Sequence, residues 1–265
     1  MRRPIRKVLL TIFILFLFPL AVHGALYFTQ EHAGSFRDAN WSSTGMLPPA
    51  TADKEARLLV FTGRTGRWRG IFSVHSWIVL KPENATTWSR YDVVGWGQPV
   101  RMNGWAPDSF WFGNTPRVLV DVRGAQAAAL IPKVKTAIDD YRYHQFGDYR
   151  LWPGPNSNTF VATVLRAVPE LGITLPANAV GKDFRSLPYA GLSDSGTGVE
   201  ASLWGVLGVK AGWIEGVELN LLGLVAGLDL RHPGIKLPGF GRIGLPDGSA
   251  LAAPAVTRGG SAPAR

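Results

Sequence analysis

The sequence predicts an α+β domain carried behind an N-terminal apolar segment. Strand-like runs between Arg57 and Val122 are followed by a helical stretch, a loop and a second helical stretch, the order expected of α+β folds. Val8 to Phe28 carry no formal charge, and His23 is the one group among them that titrates near neutral pH. At 265 residues and 46% hydrophobic, the chain is long and apolar enough to bury one sizeable core.

The apolar segment follows the basic stretch MRRPIRK. The excess of positive charge keeps that end in the cytoplasm and sends the rest of the chain across the membrane. Residues 1–29 therefore read as a signal peptide, with Val22 and Gly24 before the cut, or as an uncleaved anchor of roughly 20 residues. Both readings place the body outside the cytoplasm. Residues 30–56 are polar and end in GMLPPATADKEA, the composition of a linker.

Strands are expected over Arg57–Thr62, Ile71–Lys81, Arg90–Gly97 and Arg117–Val122, with GRTGRWRG as a turn between the first two. Ala125–Tyr143 reads as a helix that Pro132 kinks or restarts. A further helix begins near Thr159, and the α+β domain closes at residue 192. Residues 193–246 form a Gly-rich apolar extension in which GVELNLLGLVAGLDL alternates like a β-hairpin, and which reads as a hairpin or a membrane-facing flap. Residues 247–265 have the composition of a disordered tail.

Four of the nine net positive charges, Arg2, Arg3, Arg6 and Lys7, lie at the start before any acid. The body is only mildly basic and carries no basic stripe, so no nucleic-acid partner is expected. There is no cysteine, which excludes disulfides, thiolate metal sites and a thiol nucleophile. The histidines lack the spacing of a zinc site, and neither metal nor cofactor is expected.

Two places carry the candidate chemistry. On the strand Ile71–Lys81, His75, Trp77 and Val79 share one face, and the other face is also largely apolar. A histidine on such a covered strand is either a satisfied core residue or a general base. In GPNSNTF, Ser157 stands between Asn156 and Asn158 at a helix start, where unpaired N–H groups could hold an oxyanion. Any of the three could instead simply cap the helix. A serine gains little from the helix dipole and needs a base, which His75 would supply.

VHSWIVLK, RYDVVGWG, a helix and then DYRLWPGPNSNTFVATVLRAV together resemble a circularly permuted papain-like fold over roughly Arg57–Leu171. That superfamily includes NlpC-type cell-wall peptidases and lecithin:retinol acyltransferase-like proteins. Its permuted members place a His-bearing strand first and a nucleophilic cysteine later, at a helix start in the context N-C-x-x-F. The resemblance implies Ser157 at the cysteine position, His75 at the histidine position and an antiparallel sheet packed on helices. It implies that the residue orienting His75 comes from the following strand: Asp92, with Tyr91 and Gln98 as rivals. Asn156, Asn158 and Trp77 are the accompanying candidates for binding. HSW, YDVVGWG, GPNSNTF and the end from Gly234 to Gly244 also resemble a family of uncharacterised bacterial membrane-associated proteins, over most of the chain.

Two functions follow as expectations. One is a hydrolase or acyltransferase acting on amide or ester bonds of envelope glycan, peptide or lipid through a Ser–His pair. The other is a catalytically inactive binding or membrane-associated structural protein, attached to the membrane by its N-terminal segment.

Overall fold

The computed structural model of the protein describes residues 2–245, so the expected tail at 247–265 lies outside the described residues. Two antiparallel sheets, two packed helices and an N-terminal apolar helix make an α+β architecture. The apolar helix runs as α1 (Arg2–Ile12), a π-helical turn (Phe13–Leu17) and α2 (Phe18–Phe28). From Arg3 to Phe28 it is long and apolar enough to cross a membrane or serve as a signal sequence.

The first sheet contains β1 (Arg57–Arg64), β2 (Val74–Lys81), β3 (Ser89–Val93), β4 (Val100–Met102) and β5 (Arg117–Arg123), in the order β4-β3-β2-β1-β5. β2 starts at Val74 rather than Ile71, because Arg67–Ile71 closes a short 3-10 turn first. Period-two alternation puts Leu58, Val60, Ile78 and Leu80 on one face and Leu59, Phe61, Trp77 and Val79 on the other. The first face packs on α3 (Gly124–Asp139) and α4 (Ser157–Ala167) through Val134, Phe160 and Val164. α3 stays one helix through Pro132, which sits on its exposed side.

The second face is roofed by aromatic residues rather than helices. Trp111 and Leu47 are buried there, with Trp41 and Trp105 packed against them. The segment expected as a linker is therefore in part a wall of the domain. Trp41 meets Trp111 edge-on at 5.1 Å, and Asp108 accepts hydrogen bonds from the Ser43 and Thr44 hydroxyls. Burying these apolar side chains contributes about 1.5–3 kcal/mol each, which a solvated linker would forgo.

In place of a single expected hairpin, residues 193–246 supply six strands of a seven-stranded sheet whose first strand lies just before them. β6 (Tyr189–Leu192), β7 (Gly198–Leu203), β8 (Leu207–Gly212), β9 (Gly216–Leu221), β10 (Leu224–Asp229), β11 (Gly234–Leu237) and β12 (Gly241–Gly244) pair in sequence order. Part of the glycine content serves turns rather than weakening strands. Leu222 and Gly223, both at positive φ (55 and 81), join β9 to β10 in a two-residue hairpin.

One face of this sheet carries Glu200, Lys210, Glu218 and Lys236, all buried. They meet Lys182, Asp183, Arg185 and Asp194 of the segment that enters the sheet. Burial pushes Asp183 upward, but the ammonium groups of Lys182 and Lys210 outweigh it and hold the carboxyl well below its usual range. Burial likewise lowers Lys210, and Asp183, Asp194 and Glu200 reverse the effect and raise it well above the ordinary lysine value.

Candidate active site

α4 begins where a polar side chain can satisfy its free N–H groups, and Asn156 is that residue. Its Oδ1 accepts from the Asn158 and Thr159 N–H groups at 2.9 and 3.1 Å, and the Thr159 hydroxyl accepts from the Asn156 N–H at 3.1 Å. The Asn156 amide group also donates to the Leu151 and Val180 carbonyls. This arrangement packs against Gly181, whose φ of +96 and lack of a side chain both matter: a Cβ there would lie 2.2 Å from Asn156 Nδ2. Gly181→Ala is expected to displace the cap and, with its backbone strain of about 1–3 kcal/mol, to lower the melting temperature measurably.

Asn158 ties the helix start to the histidine strand. Its Nδ2 donates to the Val74 carbonyl at 2.8 Å and its Oδ1 accepts from the Ser76 hydroxyl at 2.8 Å. The clamp therefore grips β2 on either side of His75. Asn156 and Asn158 line the cavity described below, but their polar atoms are held by the protein. Their part is positioning rather than the binding expected of them.

Ser157 is not the cap. It is the first residue of α4, 5% exposed, and it lines a cavity of about 620 Å³ together with His75. The other walls are mainly apolar: Trp68, Phe72, Trp111, Trp152 and Leu224 contribute, as does Leu20 of the N-terminal helix. Two of the amides expected as oxyanion donors are occupied by Asn156, and the Phe160 N–H bonds the Asn156 carbonyl. Ser157's own N–H is the first-turn amide left for that role.

His75 lies flat on Trp111, with centroids 3.8 Å apart and planes at 5°. Its Nε2 is turned to Asp92 on β3, 3.7 Å from Oδ2, a separation beyond hydrogen-bond length. Burial lowers the His75 pKa, Asp92 opposes this and Arg90 reinforces it; the net effect leaves the imidazole neutral at pH 7. Asp92 is fully buried and belongs first to Arg90, whose Nε and Nη2 approach Oδ2 at 2.9 and 2.8 Å. Arg90 also stacks over Trp77 at 4.2 Å and donates to the Ala106 carbonyl and the Ser109 hydroxyl.

Of the orienting candidates, the structure brings Asp92 to His75. Tyr91 alternates to the helix-covered side of the sheet, where it packs against the main core. Gln98 lies in the exposed loop after β3. Trp77 is a core residue rather than a binding one. It is fully buried, stacked on Phe61 at 5.4 Å, and its indole N–H donates to Pro107.

Sequence reasoning passed over Arg90 and Trp111. The signal for Arg90 was its i, i+2 spacing to Asp92, which puts both on one face of a strand. Trp111 comes from a loop far from the other site residues, and nothing local announced it.

Residues 55–184 match the model of a family described as "Protein of unknown function (DUF3750)". No curated protein matches the chain, and no solved structure does. The match is narrower than the expected similarity over most of the chain, and nothing in it points to papain-like, NlpC-type or acyltransferase proteins. It covers His75, Arg90, Asp92 and Ser157, and it leaves out the apolar helix and the second sheet, so what this chain shares with that family is the part that carries the candidate site.

Proposed function

We propose that the protein is a membrane-attached envelope hydrolase or acyltransferase acting on ester or amide bonds through Ser157 and His75. The observation that carries this reading is that the two side chains, on a strand and on a much later helix, line one cavity while His75 Nε2 is turned to a carboxylate. Nδ1 is then the nitrogen left to serve Ser157.

The Ser157 oxygen attacks the carbonyl carbon and its proton passes to His75 Nδ1. The Ser157 N–H meets the developing oxyanion. The carbonyl-to-leaving-group bond breaks, and the leaving oxygen or nitrogen takes the proton from His75. The acyl group on Ser157 then passes to water, or to an acceptor hydroxyl or amine, with His75 removing the acceptor's proton. The permuted papain-like resemblance supports this assignment of roles. The basic flank of α1 favours a cytoplasmic N-terminus and a periplasmic body.

One observation favours a second reading, a silent binding cavity. Asp92 is engaged by Arg90 and stands 3.7 Å from the imidazole, so it neither anchors nor charges the ring as a triad carboxylate does.

The pH profile of p-nitrophenyl ester turnover by the full-length protein in detergent separates the two. Because burial lowers the His75 pKa, the neutral base persists below the ordinary 6.5. Turnover is expected to stay level down through pH 6.5 and to fall only in more acid solution, and His75→Gln is expected to remove it. Turnover that is absent, or that His75→Gln leaves unchanged, supports the silent cavity.

A further inference from the structure

The second sheet is amphipathic in the reverse sense to that of a soluble domain. Residues paired across neighbouring antiparallel strands point to the same face. One row runs Glu200, Lys210, Glu218, Gly227, Lys236 and Arg242, and its charges face the body of the protein. The row beside it runs Val199, Ala211, Val217, Leu228, Ile235 and Ile243 on the opposite face. On that outer face a further row runs Ala201, Val209, Leu219 and Ala226. These outer rows hold no charged or hydrogen-bonding side chain, yet Val199 is 62%, Val209 51% and Leu228 51% exposed. A surface of this extent in water is a liability that folded proteins cover.

The structure shows what lies beside it. The helical turn Phe13–Leu17 packs against β10, and Phe16 is buried at 5% exposure. Ala226, the β10 member of the second outer row, is only 2% exposed, while its row-mates Val209 and Leu219 and its β10 neighbour on that face, Leu228, stay open. The membrane-length helix therefore packs beside this sheet at β10. The helix leaves its own side chains Leu9, Leu10, Phe13 and Ile14 exposed as well.

Depth follows from the contact. At ~1.5 Å per residue, Phe16 lies about 18 Å along the helix from Phe28. The hydrocarbon of a bilayer is about 30 Å thick, so one leaflet accounts for about half of that. A helix that spans carries β10 below the headgroups, among acyl chains. The buried charges stay on the protein side, where each has partners.

We propose that the outer face of β6–β12 docks into one leaflet of the lipid bilayer beside the N-terminal helix. The domain is thereby seated in the membrane by a sheet as well as tethered by a helix. The occupant is lipid rather than a second copy, because the face adjoins, through β10 and the turn Phe13–Leu17, a helix long and apolar enough to span a bilayer. This surface is independent of the chemistry at Ser157.

The absence of native cysteine makes the test direct. Val209→Cys, Leu219→Cys and Ile235→Cys, with Lys135→Cys on the exposed side of α3 as reference, are labelled with bimane in the full-length protein. Each is reconstituted into phosphatidylethanolamine/phosphatidylglycerol vesicles and quenched with doxyl-chain phospholipid or with iodide. The three sheet labels are expected to show several-fold stronger doxyl quenching than the reference and several-fold weaker iodide quenching. Iodide quenching equal at all four positions, without a doxyl effect, overturns the proposal. So does shielding from both quenchers that disappears on diluting the protein in lipid, which identifies a second copy as the occupant.

Discussion

Lys210→Met is expected to cost about 3–5 kcal/mol of folding stability, because it strips a buried cluster of carboxylates of its shared cation. Lys210 Nζ lies 2.7 Å from Asp183, 2.5 Å from Asp194 and 3.5 Å from Glu200, and all four side chains are buried. A buried charge without a partner carries its full desolvation penalty, whereas the intact network offsets it with Coulomb attraction and hydrogen bonds. Lys133→Met breaks a pair whose side chains are 55% and 46% exposed and is expected to leave the melting temperature unchanged. Denaturant unfolding followed by tryptophan emission compares the two. Equal small effects would mean that the network is not what joins the second sheet to the body.

The same cluster sets an acid limit. Asp183 and Asp194 are held below the ordinary 3.8, so their stabilising contribution is complete above that value and is lost as pH falls beneath it. Lys210 is raised above 10.5, so its contribution is complete below that value and fades only as pH rises through its folded pKa. The network is expected to hold between these limits and to weaken in acid below 3.8 and in base above 10.5, read as a fall in melting temperature at either extreme.

Ser157→Ala is expected to lower ester turnover by about 10⁴-fold or more while leaving stability nearly unchanged. The two readouts separate because a different residue holds the helix. Asn156 caps α4 with its side chain, whereas Ser157 is not the cap and lines the cavity. Asn156→Ala, in contrast, is expected to cost about 0.5–2 kcal/mol for the cap, and more for the lost bonds to Leu151 and Val180. A Ser157→Ala protein that melts early would place the hydroxyl in the scaffold and remove it from the chemistry.

Much of the first sheet was legible because its strands obey period-two alternation and its helices follow polar starts. The two-sided covering of β2 could be read from Val74–Leu80 alone. The roof over His75 could not, since Trp41 and Leu47 come from a segment whose composition reads as linker and Trp111 from the loop between β4 and β5. Ser157 and His75 were found by residue type and helix position, and Asp92 by its place on the next strand. The Asp92–Arg90 pair, which alters what Asp92 can do, depends on a desolvated geometry that no local pattern encodes. The second sheet was misjudged for a physical reason. Its alternation was visible in GVELNL, but dense glycine argued against strands, and the side that is usually polar and exposed is here the charged, buried one.

Peptide mapping of a fluorophosphonate adduct on the full-length protein tests the central claim most directly. The account predicts one adduct, on the peptide that carries Ser157, formed at neutral pH and lost in His75→Gln although that variant stays folded. An adduct on another serine, or one on Ser157 that forms equally well without the imidazole, would contradict it.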